Sequence, residues 1–226
     1  MKLSKRLQAI YDMVPGGVLA DVGSDHGKLV ISLFENGVIS KGYAIENKEG
    51  PYKRLVANIK KHHLLDDVIP MFSDGISELP PIVETVVIAG MGGNTIIEIL
   101  KAHPLKLKNV KTIIVDAHCN VPEVRKEVSK LGYVIEDEDI IEEDGIYYEI
   151  IKFMAGECAF LDDPDIEFGP KLRIEKSLTF KAKYQSRIDD INRLLDKKTL
   201  PPSRENELYQ EKEKIQSILW KLETSY

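Results

Sequence analysis

Cysteine is nearly absent from this chain of 226 residues: Cys119 and Cys158 are the whole complement. Two cysteines build no disulfide framework, and these two lack metal-ligand spacing, so the sequence predicts reduced thiols and no metal site. Long apolar runs are missing as well. None reaches the roughly 18 residues that a membrane span requires. The opening "MKLSKRLQAIYDMV" reads as a basic amphipathic helix without the apolar core or small-residue cleavage site of a signal peptide. The expectation is a cytoplasmic chain with no membrane partner. There is no internal repeat, no low-complexity tract and no overall basic excess, the formal net charge being -6.

That balance argues weakly against a nucleic-acid partner until the charges are located. Lys2, Lys5 and Arg6 stand before residue 12 with no acid among them, and Lys101, Lys106, Lys108 and Lys111 form a second run without acids. Residues 171 to 204 hold ten basic residues against four acids (Glu175, Asp189, Asp190 and Asp196), a local surplus of six. The acids gather elsewhere, above all in "EDEDIIEED", residues 136 to 144. Segregation of this kind suits a polyanion docking on one side; solvated helix faces are the plainer explanation of any single run.

With 43% hydrophobic residues the chain can bury a full core, enough for one domain and an appendage. Apolar clusters alternate with helical patterns. Strands are expected at residues 18–22, 41–46, 68–72, 85–90 and 111–117, and helices near 27–36, 48–63, 94–102 and 122–131, which is the pattern of a doubly wound α/β sheet. Two further strand-like runs around "EEDG" should pair as a hairpin, making one closing strand antiparallel. The domain is expected to span residues 1–155. Beyond it, "GECAFLDDPDIEFGP" is a linker or ordered loop, and the rest of 156–226 is a helical hairpin interrupted by "LPPS", with Leu208, Ile215, Ile218, Leu219 and Leu222 on its second arm. The seam of that hairpin suits either its own fold or a contact between subunits, with a monomer favoured.

Ligands of open α/β sheets gather at the carboxyl ends of the strands. Acids fall at those ends here: Asp21 and Asp25, Glu46, Asp74 and Asp116. Taken singly, each could be a cap or turn residue. The first loop, "DVGSDHGK", has Asp25 where a dinucleotide-binding loop wants a glycine, and carboxylates beside a pyrophosphate would repel it. The loop also lacks the leading glycine and the Ser or Thr of a P-loop. A cofactor with ribose hydroxyls, no phosphate and a positive sulfonium fits better, and S-adenosylmethionine is such a molecule. Glu46 is then expected to accept from the ribose hydroxyls. Asp74, with Gly75, would receive the adenine amine, and Gly23 and Gly27 would let the loop pass under the methionine portion that Asp21 orients. Ser24, His26, Asn47, Ala89, Gly90 and Met91 complete the candidate cofactor set, His26 being either a site contact or a brace of the loop.

The motifs "DVGSDHGKL", "EGP", "SDG", "IAGMGG", "EEDGIYYEI" and "FGP", in this order, resemble the bacterial tRNA (adenine(22)-N1)-methyltransferases, the TrmK family. The resemblance covers nearly the whole chain. It implies a Rossmann-like class I methyltransferase domain, a C-terminal α-helical, coiled-coil-like domain, S-adenosylmethionine as methyl donor and N1 of a D-arm adenine as acceptor. Family members carry a Tyr and a Pro where this chain has Lys28 and Val30, and Gln-Pro-Asn where it has Asp116, Ala117 and His118; both departures lie on the acceptor side.

Methyltransferases acting on exocyclic amines follow the fourth strand with an Asn or Asp and two prolines. Here "AGMGGN" offers no such grip, which points to a ring nitrogen, with Gly90, Gly92 and Gly93 giving a flipped base close backbone approach. A tight strand-to-helix turn would account for one of these glycines without any ligand. Asp25 is the candidate catalytic group, stabilising the cationic product or accepting a proton from the amine. Arg6 is expected at the cofactor carboxylate or an RNA phosphate, or else as a plain surface arginine. Lys101, Lys171 and Arg173 are candidate tRNA contacts. Two other readings share part of this pattern: a methyltransferase for a small molecule or protein, and a non-catalytic adaptor.

Overall fold

The apolar runs line up as a single seven-stranded sheet in the computed structural model, which describes residues 2–157, 160–197 and 200–220. Cys158, Lys198 and Leu222 lie outside the described residues. The strands are β1 (Val18–Val22), β2 (Lys41–Glu46), β3 (Val68–Phe72), β4 (Thr85–Met91), β5 (Thr112–Ala117), β6 (Tyr133–Glu143) and β7 (Ile146–Ala155). Their spatial order is β3-β2-β1-β4-β5-β7-β6. β1 to β5 pair in parallel, and β7 runs antiparallel between β5 and β6. Chain order reverses at β1 and β4, so the carboxyl ends of those strands flank the crevice where α/β folds bind ligands.

Helices α1 (Lys5–Met13), α2 (Lys28–Glu35), α3 (Glu49–Lys61), α4 (Gly93–Ala102), α5 (Val121–Ser129) and α6 (Asp163–Phe168) belong to the same unit, with a 3-10 turn at Pro104–Leu107. The central strands read as continuous apolar runs because both faces are covered: β5 is buried along its whole length. One core packs Ile96, Leu100, Val124 and Val128 of α4 and α5 on one face. The other takes Ile10, Leu29, Leu33, Leu55 and Ile59 from α1, α2 and α3. α1 starts where Ser4 Oγ accepts from the Leu7 amide at 3.3 Å. The β6–β7 hairpin turns on Asp144 and Gly145, both at positive φ (53° and 78°), as a two-residue turn of this kind requires.

Arg125 on α5 is fully buried, with its Nε donating to Glu138 of β6 at 2.7 Å, Nη2 to Glu149 of β7, and Nη1 to the Ile166 carbonyl of α6 at 3.2 Å. Burial works to lower its pKa, but the two carboxylates overcome that and hold it above its ordinary value. The stretch after β7 therefore carries a short helix fixed to the sheet, and the first compact unit extends through Pro170.

The second unit, Lys171–Tyr226, contains α7 (Leu172–Glu175), α8 (Leu178–Asp196) and α9 (Pro202–Trp220). α8 buries Phe180, Tyr184, Ile188 and Ile191, and α9 buries Leu208 and Ile215. The two long helices are antiparallel: Lys176, just before α8, donates to the Ile218 carbonyl near the end of α9, whereas Arg187, further along α8, pairs bidentately with Glu211 (2.6 and 2.8 Å), earlier on α9.

Candidate active site

The carboxyl ends of β1 to β4, with α4 beside them, enclose a cavity of about 640 Å³, inside the roughly 300–1,000 Å³ range of small-molecule sites. Its lining brings together Gly23, Asp25, Glu46, Asn47, Asp74, Gly75, Ala89, Gly90, Met91 and Gly92. A second cavity of about 380 Å³ opens beneath α1, lined by Arg6, Asp21, Ser24, His26, Lys28 and Glu143 among others. Gly23, Asp25 and Ala89 face both.

Four carboxylates, those of Asp25, Glu46, Asp74 and Glu98, border the larger cavity against one lysine, Lys48. Glu46, nearly buried, lines the cavity and accepts the Asp25 amide through one carboxylate oxygen at 2.9 Å. Asn47 donates to Asp74 at 3.0 Å, joining the second and third strand ends. Asp25 sits at φ 46°, a left-handed conformation that costs a non-glycine residue energy and that Asp and Asn tolerate best. Its carboxylate is mostly exposed and has His26 at 3.6 Å and Arg54 at 3.7 Å. Asn58 fixes this loop by donating to the His26 carbonyl at 2.6 Å.

Asp21 is buried, and burial lifts its carboxyl to about 6 against the opposing hydrogen bond from Ser24 Oγ at 2.5 Å, with the charge of Glu46 adding to the rise. Such a group gains from a cation placed beside it. Asp116, at the end of β5, is buried too. Desolvation raises its pKa overall, and the Arg6 guanidinium, His118 and the Gly90 amide oppose the rise.

The glycines after β4 differ in what they face. Gly90 has φ 77°, and a Cβ there would meet Arg6 Nη1 at 3.4 Å and His118 Nε2 at 3.9 Å. Gly93 lines neither cavity: a Cβ would strike the Cys119 carbonyl at 2.5 Å and the Asn120 carbonyl at 2.9 Å, and its amide donates to Cys119 at 3.0 Å. Close passage of the loop after β5 accounts for that residue. Gly92 remains on the cavity wall.

Arg6 is not a free surface group. It pairs with Asp116 at 2.6 Å and lies 5.2 Å over the Tyr148 ring. Gly27 lines neither cavity and precedes α2 with Leu55 against it. Lys101 is paired with Glu127 outside both cavities. Lys171 and Arg173 belong to the second unit. Sequence reasoning missed Thr95, Glu98, Ile99 and Ala102, which line the larger cavity from one face of α4; their i, i+3, i+4, i+7 spacing was the available signal. Among the described residues no cluster of three His, Cys, Asp or Glu side chains could hold a metal, and no helix is long and apolar enough to cross a membrane.

Sheet order, antiparallel seventh strand and acid-lined crevice together define a Rossmann-like methyltransferase of the S-adenosylmethionine-dependent class. The sequence profile of the tRNA (adenine(22)-N(1))-methyltransferases matches residues 19–224. The Bacillus subtilis enzyme of that name is 33% identical over 191 residues, 81% of this chain and 80% of that protein. Sp1610 of Streptococcus pneumoniae in complex with S-adenosyl-L-methionine superposes with TM-score 0.89 at 32% identity, covering 96% of this chain and 100% of that one. M. capricolum TrmK with S-adenosylhomocysteine does so with TM-score 0.86 at 25% identity, covering 96% and 97%. The chain belongs to the tRNA (adenine(22)-N(1))-methyltransferase family.

Proposed function

We propose that this protein is a cytoplasmic, monomeric enzyme that methylates N1 of adenine 22 in the D-arm of tRNA, using S-adenosylmethionine. The observation that supports the reading is the rim of the larger cavity, where four carboxylates face one lysine. A pyrophosphate cofactor would be repelled there, and a cationic nucleoside without phosphate would be attracted.

Glu46 and Asp74 would hold the nucleoside end, and Asp21 with the backbone of Gly23 the amino-acid end. When bound, S-adenosylmethionine supplies a sulfonium methyl: the N1 lone pair forms the new N–C bond as the S–C bond breaks, its electron pair stays on sulfur, and the base is left cationic. Asp25, shared by both cavities, is the group placed to stabilise that charge or to take a proton from the adjacent amine. The remaining residues orient the reactants, and orientation can supply up to about 7–11 kcal/mol of the barrier.

Extracting a base from folded RNA costs a few kcal/mol, so contacts away from the base must hold the tRNA. Lys108, Lys171, Arg173 and the basic first helix are the groups we assign to that clamp, Lys101 being held by Glu127. Incubation of tRNA with protein and S-adenosylmethionine, followed by mass spectrometric mapping, tests the whole reading. One methyl on N1 of adenine 22 is expected; modification elsewhere, or none, refutes it.

A further inference from the structure

Over the exit of β4 stand two nitrogen-bearing side chains with different freedoms. Arg6 is paired: Nη1 donates to Asp116 at 2.6 Å and the guanidinium rests on Tyr148. His118 is not. Its imidazole is exposed, edge-on to Tyr148 with ring centroids 6.0 Å apart and an interplanar angle of 64°. Among the described residues its ring nitrogens make no hydrogen bond, and the Asp116 carboxylate that holds Arg6 acts on the ring only electrostatically. The backbone carrying the ring is fixed, because the His118 amide donates to the Met91 carbonyl at 2.9 Å and the Cys119 carbonyl accepts from Gly93 at 3.0 Å.

A held imidazole with unused nitrogens thus lies 3.9 Å from the position a Cβ would take on Gly90, a residue of the larger cavity's wall. A neutral imidazole offers one acceptor and one donor. Adenine presents an exocyclic amine next to N1, and as N1 becomes methylated the ring turns cationic and the amine a stronger donor. A hydrogen-bond acceptor at the amine therefore gains strength on the way to the transition state, which accelerates the reaction and does not merely bind substrate. A purine without that amine would forfeit the bond.

We propose that His118 is a specificity-determining residue whose ring nitrogen accepts from the exocyclic amine of the target adenine. The Asp116–Arg6 pair and the Tyr148 ring are positioning groups that hold the imidazole over Gly90. This assignment rests on the adenine-N1 reading given above.

The test compares unaltered protein, His118→Ala and His118→Asn on two tRNAs, one with adenine and one with purine at the target nucleotide, the second lacking the amine. On the adenine tRNA, His118→Ala should lose at least tenfold in kcat with unchanged affinity for S-adenosylhomocysteine by calorimetry. His118→Asn, whose side-chain carbonyl can accept, should recover most of that loss. On the purine tRNA the unaltered protein and His118→Ala should be equally slow, since residue and amine form one coupled pair. Equal losses on both tRNAs, or no loss on either, overturn the assignment. Failure of the unaltered protein on the adenine tRNA overturns the adenine-N1 reading and this assignment with it.

Discussion

The Asp25 amide and the Glu46 carboxylate are hydrogen-bonded at 2.9 Å, so the acid assigned to the ribose also braces the candidate catalytic residue in its left-handed conformation. The two roles can be separated. Glu46→Gln keeps an oxygen for the amide but loses charge and acceptor capacity toward the cofactor. Calorimetry should find S-adenosylmethionine bound on the order of tenfold more weakly. Glu46→Ala releases the loop as well and should be clearly worse than Glu46→Gln; equal effects would remove the brace.

Asp25→Asn preserves the backbone conformation, since Asn is among the few side chains that accept it. Cofactor affinity should hold, while methyl transfer falls by a factor of about 10²–10⁴, the usual worth of a proton-transfer or charge-stabilising group. Single-turnover rates decide the matter, and normal turnover would strip Asp25 of its role.

Asp21 links pH to both stability and binding. Its folded-state pKa is about 6, above the ordinary 3.8, so the folded protein keeps this proton longer than the unfolded chain does. Stability from this group is therefore full at low pH and is lost as pH rises from 3.8 to about 6. Asp21→Asn should stabilise the ligand-free protein near pH 7 by on the order of 2–3 kcal/mol in denaturant unfolding. Cofactor affinity should run the opposite way, weakening as pH drops below about 6 because the protonated carboxyl no longer attracts a cation. An affinity flat across that range would argue against the contact.

Removing one partner from the buried Arg125 cluster strands Glu138 and Glu149 without their cation. Arg125→Met should lower stability by about 3–5 kcal/mol, seen as an earlier unfolding midpoint. A smaller change would mean that water or relaxation takes up the charge.

Salt should weaken tRNA binding less steeply than the count of basic residues suggests. Lys101 and Lys111 are paired with Glu127 and Glu84, Lys106 bonds the Leu79 carbonyl, and Arg187 is clamped by Glu211. Each phosphate contact contributes a slope of roughly 0.7–0.9 in log affinity against log salt. A slope matching every lysine and arginine of the basic runs would show that these pairs open on binding.

The sheet was legible because its central strands are unbroken apolar runs punctuated by Gly, Pro and Asp: β1, β2 and β3 begin and end where the pattern does. α6 was not, for its six residues carry too little periodicity and are held by Arg125 from 41 residues away. The strand-end acids announced themselves by position. The Arg6–Asp116 pair did not, because its members are 110 residues apart and nothing local marks either as the other's partner. Three glycines in "AGMGG" looked like one device; a neighbouring loop claims Gly93, which only the tertiary arrangement could reveal.

α1 is stitched to the sheet at its very start: the Lys5 amide donates to Glu143 at 2.7 Å, Arg6 follows with Asp116, and Ser4 borders the smaller cavity. Anything fused ahead of Ser4 thus emerges beside the smaller cavity. A bulky affinity handle placed in front should act there as a cork.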